Sequence, residues 1–170
     1  AADELGREEQ PVAEDLQQRL QVLPGGDAAQ QDDGAVRAGR LMESWGVYWL
    51  EDPLMPEDLS GYVELCRALD MPVAAGETVC TRYQFRDWLE RRIPDVILPD
   101  ICRAGGISEG RKIATMAEAY HLPIAPHDCS GPVNVFACLH LCASAPNTLV
   151  MESVRAFYRG YYDALVEPNI

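Results

Sequence analysis

Apolar positions along the chain follow two alternating spacings. Over residues 11–23, Val12, Leu16, Leu20 and Leu23 recur every three to four positions, which predicts an amphipathic helix with Pro11 in its first turn. Pro24, Gly25 and Gly26 break it, and residues 27–34, rich in Gln and Asp, read as a polar loop. Helical spacing resumes over 35–45, with Val36, Leu41 and Met42 on one face and Gly46 as the stop. Residues 47–50 then form a continuous apolar run that ends at Glu51-Asp52-Pro53, which predicts a buried strand with an ionisable end.

From there the alternation becomes regular. A helix starting at Pro56-Glu57-Asp58 and running to Leu69 precedes an apolar run, 73–76, that ends at Glu77. A helix over 83–91 precedes the run 96–99, which ends at Asp100. A helix over 109–120, with Ser108 as its N-cap, precedes the run 122–126, which ends at His127. The helix over 132–142 is apolar almost throughout and is predicted to be buried; the run 148–151 after it ends at Glu152. Glu51, Glu77, Asp100, His127 and Glu152 are thus separated by 26, 23, 27 and 25 residues, the length of one strand plus one helix.

Strands alternating with helices at this period predict a parallel sheet joined by right-handed crossovers. All strand ends then lie on one side, as at the C-terminal face of a (β/α) barrel. Any one of the five residues could equally be a solvated strand-end charge. Five at one period point to a shared site.

Charge and composition narrow the function. The net charge is −13, and Lys112 is the single lysine beside 13 arginines, which argues against a nucleic-acid partner. The acidity is concentrated early: residues 1–58 hold 14 acids against 4 arginines, a balance of −10, and the remainder only −3. No apolar run reaches the roughly 20 residues of a membrane span, and the first residues lack a basic and apolar leader, so a cytoplasmic location with no membrane partner is expected. The six cysteines, at 66, 80, 102, 129, 138 and 142, show no metal-ligand spacing and read as free buried thiols, with Cys102 and Cys129 as bystanders near the strand ends. His121 reads as a helix C-terminal cap and His140 as a core residue, while Arg82 and Arg103 read as surface ion-pair partners that could also meet an anionic substrate.

Carboxylates on adjacent strand ends suit a hard divalent cation, and oxygen ligands suggest Mg²⁺. Asp100 beside His127 is a base with its orienting partner, since a carboxylate on one imidazole nitrogen leaves the other free to take a proton. A cation with such a base is suited to removing a proton α to a carboxylate.

Trp49-Leu50-Glu51-Asp52-Pro53, Ala75-Gly76-Glu77-Thr78, Pro99-Asp100 with Gly105-Gly106, Pro126-His127 with Gly131-Pro132, and Met151-Glu152 resemble the enolase superfamily. Within it they resemble the mandelate racemase/muconate lactonizing enzyme group, and in particular its acid-sugar dehydratase-like members. The resemblance implies an α/β fold, a partial (β/α) TIM-type barrel of about six strand-helix units with the capping domain absent. It implies an acidic N-terminal segment with a degraded barrel strand over 1–34, the partial barrel over 35–160 and a truncated tail over 161–170. By the same resemblance Glu51 and Glu77 would be Mg²⁺ ligands and Asp100 and His127 the catalytic dyad. Glu152 would hydrogen-bond the substrate carboxylate. Asp27, in Asp27-Ala28-Ala29-Gln30-Gln31, is the candidate for the remaining metal ligand, or else a loop aspartate in a Gly-rich turn.

The activity implied is Mg²⁺-dependent dehydration of a sugar acid, a small-molecule carboxylate, by a homo-oligomer. The lysine pair of the family's second barrel strand is not among these residues, which favours elimination, a one-base reaction, over racemisation or cycloisomerisation. The alternative is a catalytically inactive truncated barrel that folds through oligomerisation or a partner chain.

Overall fold

The structure is a computed structural model that describes residues 28–167. The helix expected over 11–23, the weak strand near Pro24 and the candidate ligand Asp27 lie outside the described residues. Helix α1, Ala28–Ser44, begins where the polar loop was expected: Ala and Gln are good helix formers, and a polar stretch can continue a helix as readily as it makes a loop. Gly46, at φ +71°, ends the segment after it.

Strand β1, Leu50–Glu51, leads to α2, Leu59–Ala68, whose N-cap Asp58 accepts a hydrogen bond from the Gly61 amide at 2.9 Å. Strand β2, Val73–Ala75, is followed by α3, Thr81–Arg91, and β3, Val96–Ile97, by the short α4, Ile101–Ala104. Helix α5, Ile107–Ala119, starts two residues before its expected range, because Gly106 and not Ser108 stands at its N-cap. Past Tyr120, His121 turns left-handed at φ +61° and its amide bonds to the Glu118 carbonyl, so it closes the helix through its backbone. Helix α6 spans Pro132–Ser144 and α7 Arg155–Tyr158, with a 3-10 turn at Tyr162–Ala164.

β1, β2 and β3 pair in sequence order and in parallel, and single parallel bridges join Ile97 to Ile124 and Ile124 to Thr148. Five of the expected strand-helix units are therefore in register among the described residues, each next to its neighbour in sequence. Side chains alternate across this sheet. Val73, Ala75, Ile97 and Ile124 pack with Leu65, Phe85, Trp88, Leu89, Ile113 and Leu141 of the helices. Ala74, Val96, Leu98 and Ala125 form a second, smaller cluster on the opposite face, with Trp49 packed against it. That two-residue alternation is what a barrel wall requires, helices outside and a thin layer of side chains inside.

Three expectations about burial are corrected. Residues 47–49 lie ahead of the β1 ladder, at the edge of the sheet, so Tyr48 is 69% exposed and Val47 40%. Helix α6 buries Val135, Cys138 and Leu141 but leaves Val133 75% exposed, and its His140 is exposed, since this helix packs on one side only among the described residues. All six cysteines are free, yet only Cys138 is buried; Cys80, Cys102 and Cys129 are exposed. No helix among the described residues is long and apolar enough to cross a membrane.

Candidate active site

The parallel order brings the ends of β2, β3 and the Ile124 and Thr148 segments side by side, and four of the expected residues meet there. Asp100 is wholly buried at the end of β3. Its Oδ1 accepts from the Cys102 and Arg103 amides at 2.7 and 3.1 Å, capping α4, which fixes the carboxylate in orientation. Its Oδ2 is 2.8 Å from His127 Nδ1. An ionised carboxylate only accepts, so this contact assigns the proton to Nδ1 and leaves Nε2 facing the site.

Around Nε2 stand three groups: Glu77 Oε2 at 3.1 Å, Cys129 Sγ at 3.3 Å and Glu152 Oε2 at 3.6 Å. Glu152 is held in turn by the Asp128 amide, which donates to its Oε2 at 3.0 Å. Asp128, wholly buried, accepts at 2.8 Å from Asn134 Nδ2 on α6, so the turn that presents His127 is tied to the helix behind it. Glu77 Oε1 meets Arg103 Nη1 at 3.2 Å, and the same nitrogen lies 3.3 Å from the Glu77 carbonyl oxygen.

Glu51 stands apart from this group. Its Oε2 accepts from the Trp49 indole at 2.8 Å, a contact within its own segment. Next to Glu51 in the chain, Asp52 accepts at Oδ1 from the Gly76 amide at 3.2 Å and from the Tyr62 hydroxyl at 3.3 Å. The other oxygen, Oδ2, is buried and without a partner among the described residues. Burial pushes the Asp52 carboxyl up from its ordinary range, and the charges of Glu77 and Glu51 push it further.

These carboxylates allow a test of the expected cation site. Among the described residues no three or more His, Cys, Asp or Glu side chains are already arranged to hold a metal ion. The donor chemistry nonetheless fits a hard divalent cation: Glu51 and Glu77 end adjacent parallel strands, and Asp52, next to Glu51 and bonded to the Gly76 amide, keeps one buried oxygen without a partner among the described residues. As they stand, Glu77 is turned to Arg103 and His127, and Glu51 to Trp49.

Several contacts were not foreseen. Cys129, expected to be a bystander, touches the Nε2 face of His127, and its position two residues on was the available signal; burial pushes its thiol up, and Glu152 and Glu77 add to this. Asp128 and Asn134 had no signal beyond their place between His127 and an apolar helix. The ion-pair expectation holds for both arginines: Arg103 pairs with Glu77, and Arg82 pairs with Glu109 while lying 4.5 Å over the Tyr83 ring.

Comparison with known proteins adds three kinds of finding. The family described as enolase C-terminal domain-like matches residues 2–170. A D-xylonate dehydratase of Haloferax volcanii is 36% identical over 135 residues, covering 79% of this chain and 32% of that protein. A D-galactonate dehydratase of Ralstonia nicotianae is 37% identical over 113 residues, covering 66% and 30%. Among solved structures, a mandelate racemase/muconate lactonizing enzyme-like protein from Roseovarius sp. TM1035 superposes with a TM-score of 0.75 at 37% identity, over 80% of this chain and 34% of that one. The chain spans about a third of the length of the curated relatives it matches.

Proposed function

Because the chain belongs to the enolase C-terminal domain-like family, we propose that its strand-end cluster removes the proton α to the carboxylate of a sugar acid and carries the reaction on to dehydration. The observation that carries this reading is the buried pair of Asp100 Oδ2 and His127 Nδ1 at 2.8 Å, which leaves Nε2 directed into the mouth of the sheet. In this role His127 Nε2 takes the α-proton. Asp100 holds the Nδ1 proton in place and stabilises the imidazolium, itself fixed by two backbone amides. The imidazolium then returns its proton to the departing β-hydroxyl, which leaves as water, and the resulting enol becomes a 2-keto acid.

Glu152, steadied by the Asp128 amide, lies on the side of His127 away from β1 and is assigned to the substrate carboxylate. Glu51 and Glu77 would hold Mg²⁺, the cation usual in this superfamily, with Asp27 as the remaining ligand. Bound there, the cation supplies positive charge against the negative charge that builds on the substrate carboxylate. The names of the two dehydratase relatives support an aldonate as substrate. The exposed apolar residues at both sheet edges, Tyr48 on one side and Leu149 and Val150 on the other, support a homo-oligomer.

Incubation with D-xylonate or D-galactonate and Mg²⁺ in D₂O tests the reading. Expected are 2-keto acid, measured as its semicarbazone, and loss of both 2-keto acid and α-proton exchange in His127→Asn. Exchange yielding both α-configurations without keto acid would move the assignment to racemase chemistry. A second reading, an inactive barrel that folds against a partner, is favoured by the ion pair that commits Glu77 to Arg103. Absence of exchange with every aldonate tried would select it.

A further inference from the structure

Each Glu77 carboxylate oxygen has a close nitrogen neighbour. Oε2 is 3.1 Å from His127 Nε2, and Oε1 is 3.2 Å from Arg103 Nη1, which also reaches the Glu77 carbonyl oxygen at 3.3 Å. The arginine comes from α4, one strand further along the sheet, and its backbone is held by the Asp100 cap. Both partners are partly shielded, at 43% and 29% side-chain exposure, so the pair is neither loose on the surface nor sealed in the core.

We propose that Arg103 is an internal competitor for Glu77, a guanidinium latch that sets how tightly this site takes a divalent cation. The inference rests on the assignment of Glu77 as a cation ligand. A carboxylate has about four lone-pair positions, so Arg103 does not exclude a cation sterically. It competes by charge: a guanidinium and a dication on one carboxylate repel at close range, and that repulsion is strongest where solvent is partly excluded. Cation uptake therefore swings Arg103 away from Glu77, and the freed guanidinium stays at the mouth of the sheet, where an anionic substrate enters. The other arginine near the strand ends, Arg82, has no such role, because it is committed to Glu109 and stacked on Tyr83.

Calorimetric titration of the chain with Mg²⁺ tests the latch, with the Mg²⁺-dependent rise in melting temperature as a second readout. Arg103→Gln is expected to bind Mg²⁺ about tenfold more tightly than the wild type, within the usual range of coupling between two ligands of one protein. Arg82→Gln removes the same charge without touching Glu77 and is expected to bind as the wild type does. Equal affinity in the wild type and Arg103→Gln, or weaker binding in Arg103→Gln, overturns the latch and leaves the cation site standing. Equal tightening in Arg82→Gln also overturns it, since the effect would then be one of net charge. If neither the wild type nor Arg103→Gln takes up Mg²⁺ at tens of millimolar, the cation assignment falls and the latch falls with it.

Discussion

The middle of the parallel sheet and its two edges are written in the same kind of sequence and end up in opposite environments. Val73, Ala75, Ile97 and Ile124 have a neighbouring strand on each side and are wholly buried, whereas Val47 and Tyr48 before β1, and Leu149 and Val150 beside the last bridge, are 40 to 69% exposed. The titratable residues at the strand ends divide the same way. Glu77, Asp100, His127 and Glu152 interlock across four strand exits, while Glu51 bonds to Trp49 of its own segment. An apolar run thus specifies a strand, but its burial and the organisation of the charge that ends it depend on a partner at both flanks.

The largest expected effect tests that contrast directly. Ile97→Ala, in the centre, should cost about 2 to 5 kcal/mol of unfolding free energy, since the cavity it leaves is walled by packed neighbours. Val150→Ala, at the edge, should stay within about 0.5 kcal/mol. Urea unfolding of both variants measures the difference. Comparable costs would mean that the edge is covered in solution, and their dependence on protein concentration would identify self-association.

This division also marks what the sequence could convey. The parallel order and the convergence of Glu77, Asp100, His127 and Glu152 were legible because a strand-helix period forces successive strand ends onto one side, whatever the details of packing. Burial at the edges was not, because residues 47–50 and the helix over 132–142 carry the same apolar signal as the centre and nothing in them states how many neighbours they have. The α1 start was misread because Asp and Gln are compatible with a helix exterior and with a loop alike. The hydrogen bonds that Cys129, Asp128 and Asn134 contribute depend on one turn after His127, below the resolution of any periodicity.

A smaller effect is expected at the boundary between the two regions. Among the described residues Asp52 keeps one buried oxygen without a partner, and burial, then the charges of Glu77 and Glu51, raise its carboxyl above the usual range. A raised carboxyl makes the fold most stable while that group is protonated, so its contribution declines as pH climbs from the unfolded value through the folded one. Asp52→Asn removes the charge, keeps an oxygen for the Gly76 amide and suits the left-handed backbone at φ +37°. At pH 7 the variant should be more stable than the wild type, by less than about 1 kcal/mol once solvent screening is allowed for. The gain should vanish below about pH 4. A loss of stability at pH 7 would mean that the Asp52 charge is compensated.

The smallest effect concerns how the first edge is fastened. Helix α1 is tied to the turn before β2 by Glu43, whose Oε1 accepts from the Asp70 and Met71 amides at 2.5 and 2.8 Å while Arg40 holds Oε2 at 3.0 Å. The Met71 amide, foremost among these donors, holds the Glu43 carboxyl below its ordinary value. The sign is opposite to that of Asp52. A depressed carboxyl contributes stability that is present above the unfolded value and is lost as pH falls through the folded one. Glu43→Gln keeps one acceptor for the amides but no charge, so at pH 7 it should lower the melting temperature by less than Asp52→Asn raises it. On acidification through pH 4 the wild type should lose this advantage and the two melting curves should converge. A gap that persists at pH 3 would show that Glu43 fastens α1 through packing and neutral hydrogen bonds, in which case this edge is held by the same means as the centre and the contrast between them narrows.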